Sequence, residues 1–232
     1  MKGVTMFNKQ IFSILCLCIT FVSIGFSQGA FLERGQSGFG VSAGFSSNKD
    51  ASGIGASAGY SISGVFDLGL SVARISLDQK LGGYDVSAIA FSPGITFHAV
   101  KQDSIGTPIS VSLSAGYERD SYSSTALDQF RLSLNGDYFS IGTSIYGNVY
   151  ISPTTYVQPS AEVAYLTGSS KLSDSNGNSI TSDNNTTIFG FSASVVFETS
   201  PTTQFGINPG VSINKDNTTF SIRVGFVFSV AH

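Results

Sequence analysis

Most routes to a stable fold are closed to this chain by what it lacks. Its only cysteines, Cys16 and Cys18, lie in an N-terminal stretch where Lys2 and Lys9 precede an apolar run from Ile11 to Phe26, followed by Gly25-Phe26-Ser27 ahead of Gln28. A positive end, an apolar middle and a small-residue exit make up a secretory signal, so residues 1–27 read as a signal peptide and 28–232 as the mature domain. The apolar run falls short of the roughly 20 residues that a spanning helix needs. Removing the signal removes both thiols, which excludes a disulfide framework and thiolate metal sites. Neither cysteine follows the small residue of a lipidation signal, since Leu15 and Leu17 precede them.

Charge is also scarce. Asp, Glu, Lys and Arg make up 12% of the residues, about half the usual share of a soluble domain. Without the signal the balance is ten basic against fifteen acidic side chains. No basic stripe is left to meet phosphates, which excludes nucleic acid as a partner. Tryptophan is absent, and after the signal no apolar run is long enough to cross a membrane as a helix. A soluble domain needs more surface charge and a helical membrane protein needs longer apolar runs. A membrane barrel needs neither.

What is present is alternation. Phe39, Val41, Ala43 and Phe45 interleave with Gly40, Ser42 and Gly44; Ile54, Ala56, Ala58, Tyr60 and Ile62 interleave with Gly55, Ser57, Gly59 and Ser61. Successive strand side chains point to opposite faces, so each such segment has one apolar and one small-polar face. The pattern recurs at 66–72, 91–97, 109–117, 139–145, 157–165, 189–197, 205–213 and 220–228, giving ten strands. Connections take turns in length. Ser63-Gly64, Ser152 to Thr155 and Thr199 to Thr203 are tight, and Lys101 to Pro108 is somewhat longer. Ser76 to Gly83, Arg119 to Gly136 and Gly168 to Asn185 read as long polar loops on the opposite side. Pro93, Pro159 and Pro209 fall within strands, where a missing ladder donor calls for bulges.

Two features distinguish a membrane barrel from a soluble sandwich. The polar face is dominated by Gly and Ser, which suit a confined interior. Aromatic residues sit at the strand ends, with Phe45, Tyr117, Phe139, Tyr165, Phe189 and Phe220 toward the long loops. Phe39, Tyr60, Phe66, Phe97, Phe197, Phe205 and Phe228 lie toward the short turns. Paired aromatic girdles around an aliphatic band mark the two interfaces of a transmembrane barrel. The expected fold is all-β, an antiparallel up-and-down barrel of ten strands.

The signal ending Gly-Phe-Ser-Gln, the stretch Phe91-Ser92-Pro93-Gly94-Ile95-Thr96-Phe97-His98 and the closing strand Phe220 to Phe228 resemble the small bacterial outer-membrane β-barrel (porin-like) families. The resemblance is one of pattern over nearly the whole mature chain. It implies residence in the outer membrane, with its lipid and the barrel-assembly machinery as partners, and it leaves the oligomeric state open. Such families commonly end on an aromatic residue read by that machinery; here Val230, Ala231 and His232 follow Phe228.

Little chemistry is offered. The glycines around Gly38 to Ala43 mimic a dinucleotide fingerprint, but they lie inside an alternating strand, where no helix can open. Barrel enzymes, such as omptin-like proteases and lipid acyl-modifying enzymes, use histidine with carboxylate or serine partners. Here only His98, near the turn side, and the terminal His232 exist. Asp174, Asp183 and their asparagine neighbours lack ordered calcium spacing and read as solvated loop. No cofactor is called for.

Five charges share the inward phase: Asp67, Glu118, Glu162, Glu198 and Arg223. Arg223, Glu162 and Glu118 lie toward the loop end at similar heights and form the candidate cluster. It reads either as a buried ion-pair plug or as a selectivity constriction. The expected function is a non-enzymatic outer-membrane barrel, structural or a narrow passive pore for small solutes. The alternatives are a barrel that binds surfaces or ligands through its external loops and a soluble periplasmic ligand-binding barrel.

Overall fold

A computed structural model describes residues 28–102 and 107–230. The signal segment, both cysteines and His232 lie outside the described residues. After a 3-10 turn at Gln28–Ala30, the strands are β1 (Ser37–Ser47), β2 (Ala51–Ile62), β3 (Phe66–Leu81), β4 (Tyr84–Val100) and β5 (Ser110–Ser123). Helix α1 (Thr125–Gln129) follows, then β6 (Leu132–Tyr146), β7 (Val149–Ser152), β8 (Thr155–Asp174), β9 (Ser179–Ser200), β10 (Thr203–Ile213) and β11 (Thr218–Val230). Every pairing is antiparallel. β1 joins β11, and β6 joins β8 to close the circle, so ten strands form the barrel. β7 is an eleventh, short strand that pairs only with β8 and lengthens the Ser152–Thr155 turn.

The alternation decides which side meets lipid. On β3, Phe66, Leu68, Leu70 and Val72 are exposed on the outside while Asp67 and Ser71 are buried inside. The same division runs around the wall through Ile95, Leu113, Ile141, Val163 and Val224, all exposed. Rings at the strand ends pack across neighbouring strands: Phe66 on Phe97 at 4.9 Å, Phe205 on Phe226 at 5.0 Å, and Tyr117 on Phe139 at 5.1 Å. Closure satisfies every strand's backbone groups within the wall, which lipid requires.

The three long polar stretches do not form loops. β3 runs through Leu81 and turns at Gly82-Gly83, both with positive φ, straight into β4. β8 and β9 continue to Asp174 and Ser179, with Gly177 at positive φ in the turn. Arg119 to Gly136 holds the top of β5, α1 and the start of β6. Strand pairing therefore continues above the lipid band on one side of the barrel, with the polarity of the two faces exchanged. Arg74, Ser76 and Asp78 point outward beyond Val72, while Ile75, Leu77 and Leu81 point inward and are buried.

Those inward residues meet Val86, Ala88, Tyr122, Leu134 and Leu172 and are covered by Ala126 and Leu127 of α1. The helix begins at Ser124, whose side chain accepts from Ala126 N–H. The result is a crown with its own apolar core, rising from β3, β4, β5, β6, β8 and β9. β10, β11, β1 and β2 stop lower, at 11 to 13 residues each.

The strand prolines need no bulge. Register slips occur near Leu77, His98, Tyr150 and Thr203, none of them at a proline. Instead the β4–β5 ladder passes from Phe91 to Gly94, and the β10–β9 ladder from Ile207 to Gly210, with register unchanged. Pro93 and Pro209 each cost one stretch of one ladder and leave the other side intact.

The crown core should unfold separately from the barrel. Leu81→Ala empties a site that is 1% exposed and should destabilise the crown by about 2–5 kcal/mol. Proteolysis between Ser124 and Arg131 should accelerate while heat-modifiable mobility on gels, which reports the barrel, is retained. Loss of both together would mean that crown and barrel are one cooperative unit.

Candidate functional site

The inward face of the membrane-level wall is built of serine and glycine, and its hydroxyls satisfy one another across strands. Ser42 Oγ lies 2.7 Å from Ser57 Oγ, Ser112 Oγ 2.7 Å from Ser144 Oγ, and Ser160 Oγ 2.7 Å from Ser192 Oγ. Asn208 Nδ2 donates to Ser194 Oγ at 2.7 Å. Small side chains leave space, and a chamber of about 210 Å³ runs from Phe31 at the bottom to Thr219 near the outer rim. A side lobe of about 120 Å³ opens toward β4, β5 and β6. Below Phe31 and Tyr146, a vestibule of about 400 Å³ faces the turn side.

The five charges expected to point inward all line these spaces, and Asp120, fully buried on the same face of β5 as Glu118, is a sixth inward charge. Glu162 and Arg223 border the main chamber and interact electrostatically. Glu118 is buried in the side lobe, where its carboxylate accepts from Ser92 Oγ at 2.9 Å. Glu162 stands on the border between chamber and lobe. Glu198 lines the vestibule, away from this group, while Asp67 is buried and lines the side lobe together with Glu118 and Glu162.

Beneath the chamber is a structure that the sequence reading did not anticipate. Residues 28–36 fold back into the turn-side mouth and separate chamber from vestibule. Phe31 and Leu32 pack against Tyr156, Val196 and Val227, inward residues of three strands. The polar side of the segment is held by a set of buried groups. Gly29 N–H donates to Asp67 Oδ2 at 2.9 Å, and the same oxygen lies 3.0 Å from His98 Nε2. His98 Nδ1 lies 2.6 Å from the Tyr146 hydroxyl, so the ring bridges Asp67 and Tyr146. Gln158 Nε2 donates to Ala30 O at 3.0 Å, and Lys101 Nζ donates to the carbonyls of Gly29 and Leu32.

Gly29 is required here by space, because a Cβ would fall 2.5 Å from Asp67 Oδ1 and 2.6 Å from His98 Nε2. Burial pushes the Lys101 ammonium down to about 8, against the attraction of Asp67 and Glu33. In sequence the only signals were an isolated histidine and lysine at the end of β4. The carbonyls that Lys101 holds and the N–H that Asp67 accepts belong to a segment with no alternation.

The side chain of Asp174 is taken up by its own turn. It accepts from Asn176 N–H, Asn178 N–H and Asn178 Nδ2, each at 2.9 Å. The Asn178 bonds hold this carboxyl below its ordinary range. Asp183 is apart from it, on the outer face of β9.

No protein-family model matches the chain, and no curated protein matches it in sequence. Its fold does match solved structures. The translocator domain of the autotransporter NalP from Neisseria meningitidis aligns with a TM-score of 0.52 at 14% identity, covering 84% of this chain and 89% of that one. The beta domain of the Bordetella autotransporter BrkA aligns with a TM-score of 0.53 at 9% identity, covering 83% and 98%. Identities this low speak for the fold alone. With the apolar exterior, the two aromatic belts and full closure, they make this an outer-membrane β-barrel.

Two measurements address the mouth. Asp67→Ala leaves the Gly29 N–H and His98 without their acceptor, at about 1–3 kcal/mol for each group left unsatisfied. A cysteine placed at Phe31, now 8% exposed, should then react with maleimide at least tenfold faster; an unchanged rate would mean that Asp67 does not hold the segment. The second measurement is pH dependence. The Lys101 pKa is about 8 in the fold against 10.5 in the unfolded chain, so between those values only the unfolded chain holds the proton. Its contribution to stability therefore rises with pH across that window. Urea midpoints from pH 8 to 10.5 should show the rise, and Lys101→Gln should flatten it.

Proposed function

We propose that this chain is a non-enzymatic outer-membrane barrel forming a narrow passive pore for small polar solutes, held shut at its periplasmic end by residues 28–36. The observation that carries this reading is the hydroxyl-lined chamber, which reaches from near the outer rim down to Phe31 and ends there. A purely structural barrel of ten strands has no need of a polar interior space with opposed charges. A soluble ligand-binding barrel would not leave Phe39, Leu70, Ile95, Ile141 and Phe220 exposed around its outside. His98, the one histidine among the described residues, is enclosed and bonded through both ring nitrogens, which suits holding a segment and not attacking a substrate. Signal cleavage after Ser27 would leave the Gln28–Ala30 turn at the start of the mature chain. Phe228, on the lipid face of the closing strand, is suited to be the aromatic residue read by the assembly machinery.

A second reading has its own observation. The crown is ordered by a private core and presents Phe130, 60% exposed, beside Tyr84, whose hydroxyl accepts from Gln129 Nε2 at 3.3 Å. That arrangement suits a surface that contacts other molecules.

Planar-bilayer recordings distinguish the two. The full chain should be closed most of the time, while a chain lacking residues 29–36 should give sustained conductance steps. Asp67→Ala should give intermittent ones, which serves as a check if the deletion folds poorly. A folded deletion variant with no conductance would discard the pore and leave the surface-binding barrel.

A further inference from the structure

Two residues above Glu118 on the inward face of β5, Asp120 is completely enclosed. At its height the outside of the wall has already left the lipid band. The outward residues beside this row are Arg119 and Ser121 on β5, Asn135 and Asp137 on β6, and Ser169 and Lys171 on β8. Inside, Asp120 lies directly across from Ala90 on β4 and from Gly136 on β6. The Tyr138 ring covers Gly136, where a Cβ would fall 2.7 Å from Tyr138 Cε2, and the Tyr138 hydroxyl is 2.6 Å from Ser170 Oγ. Above the row stand Ala88, Tyr122 and Leu134 of the crown core. Asp120 therefore separates that core from the side lobe that Glu118 lines.

This enclosure does not suit a charge. Asp120 Oδ2 accepts from the Tyr122 hydroxyl at 2.8 Å, and Oδ1 has no hydrogen-bond partner. The titratable groups on its face are Glu118 and Tyr122 on β5 and Tyr138 on β6. β4 contributes Ala88 and Ala90, β8 contributes Ser170 and Leu172, and α1 contributes Ala126 and Leu127. No inward residue of the crown is Lys, Arg or His. An ionised Asp120 thus has one side-chain hydrogen bond, an acidic neighbour and no cation on its own face, a costly state for an enclosed charge. Protonation removes the charge and leaves the packing as it is.

We propose that Asp120 makes the crown a pH-sensitive lid, closed tightly while this carboxyl holds its proton and loosened when it ionises. Burial, opposed by the Tyr122 hydroxyl and reinforced by the charge of Asp137, pushes the carboxyl from 3.8 up to about 7. When the crown opens, water reaches Asp120 and its pKa returns toward the lower value. Between the two values the closed crown holds a proton that the open crown has released. Closure therefore weakens as pH rises through that window and changes little above it. Loosening uncovers the side lobe from the outer side. The lid belongs to the crown alone and does not depend on conduction.

The test uses the full chain folded in detergent, with Cys16 and Cys18 replaced by serine and a reporter at Ala126→Cys, a site on α1 that is 1% exposed. Its maleimide rate is divided by that of Asn178→Cys, in the exposed β8–β9 turn, which corrects for titration of the thiol itself. The ratio should rise by about tenfold or more from pH 5 to pH 8. Asp120→Asn keeps the shape and loses the charge, so its ratio should stay at the low-pH value throughout. Tyr122→Phe removes the hydrogen bond that favours the charged form, so its rise should extend to higher pH. Heat-modifiable mobility at each pH confirms an intact barrel. A flat ratio in the reporter protein would overturn the lid, and so would a rise that persists in Asp120→Asn. The Tyr122→Phe comparison stands if the asparagine variant misfolds, and a rise left unshifted there would also overturn the proposal.

Discussion

In the hydrocarbon of a bilayer no water is available to backbone N–H and C=O groups, so a chain that crosses as strands must return to its own first strand and leave no open edge. The pairing of β1 with β11 and of β6 with β8 answers that demand, and the rest of the molecule is arranged around it. Closure turns the apolar side chains outward to lipid and leaves a tube whose width is limited by strand number. Into a tube this narrow the chain places serine and glycine, because larger inward residues would fill it. Of the charges that enter, Glu162 and Arg223 are set along glycines and Glu118 accepts from Ser92.

The lower mouth solves a different problem. A ten-stranded tube with an apolar outside has no core at its end, and the turns alone do not cover it. Residues 28–36 supply a cover with two chemistries. Phe31 and Leu32 bury apolar surface against Tyr156, Val196 and Val227, and the backbone of the segment is held by Asp67, Lys101 and Gln158. His98 joins the wall of β4 to the wall of β6 through Tyr146 while sharing Asp67 with the segment. These are hydrogen bonds that can be given up singly, which suits the closed resting state proposed for the pore.

The crown shows the same strands obeying the opposite rule once lipid ends. Beyond Val72 the outer face meets water and carries Arg74, Ser76 and Asp78, so apolar residues can be buried only on the inner face. Ile75, Leu77 and Leu81 accordingly turn inward, and α1 closes over them. One run of antiparallel pairing thus contains a membrane wall below and a small water-soluble sheet above, and the change occurs within a single two-residue step.

Period-two alternation and the aromatic positions were enough to determine, from the amino acids alone, the barrel, its ten strands and its lipid face. Those properties are local: a side chain's face follows from its parity in the strand, whatever its neighbours are. The crown was misread as loops because Ser, Thr, Asp and Asn on alternate positions look like solvated connections when the face exchange is not recognised. It takes the height of the membrane, a property of the assembled barrel, to show that polar-outside is strand pairing continued in water. The segment over the mouth was illegible for a related reason. Its partners Asp67, Lys101 and Gln158 come from β3, the end of β4 and β8, spread along the chain, and the groups that they hold are backbone atoms that carry no mark in the sequence. The grouping expected for Glu118, Glu162 and Arg223 was likewise decided only by closure of the barrel, which puts Glu162 and Arg223 on the main chamber and Glu162 and Glu118 on the side lobe. Parity decides which way a side chain points, and only closure of the barrel decides what it meets there.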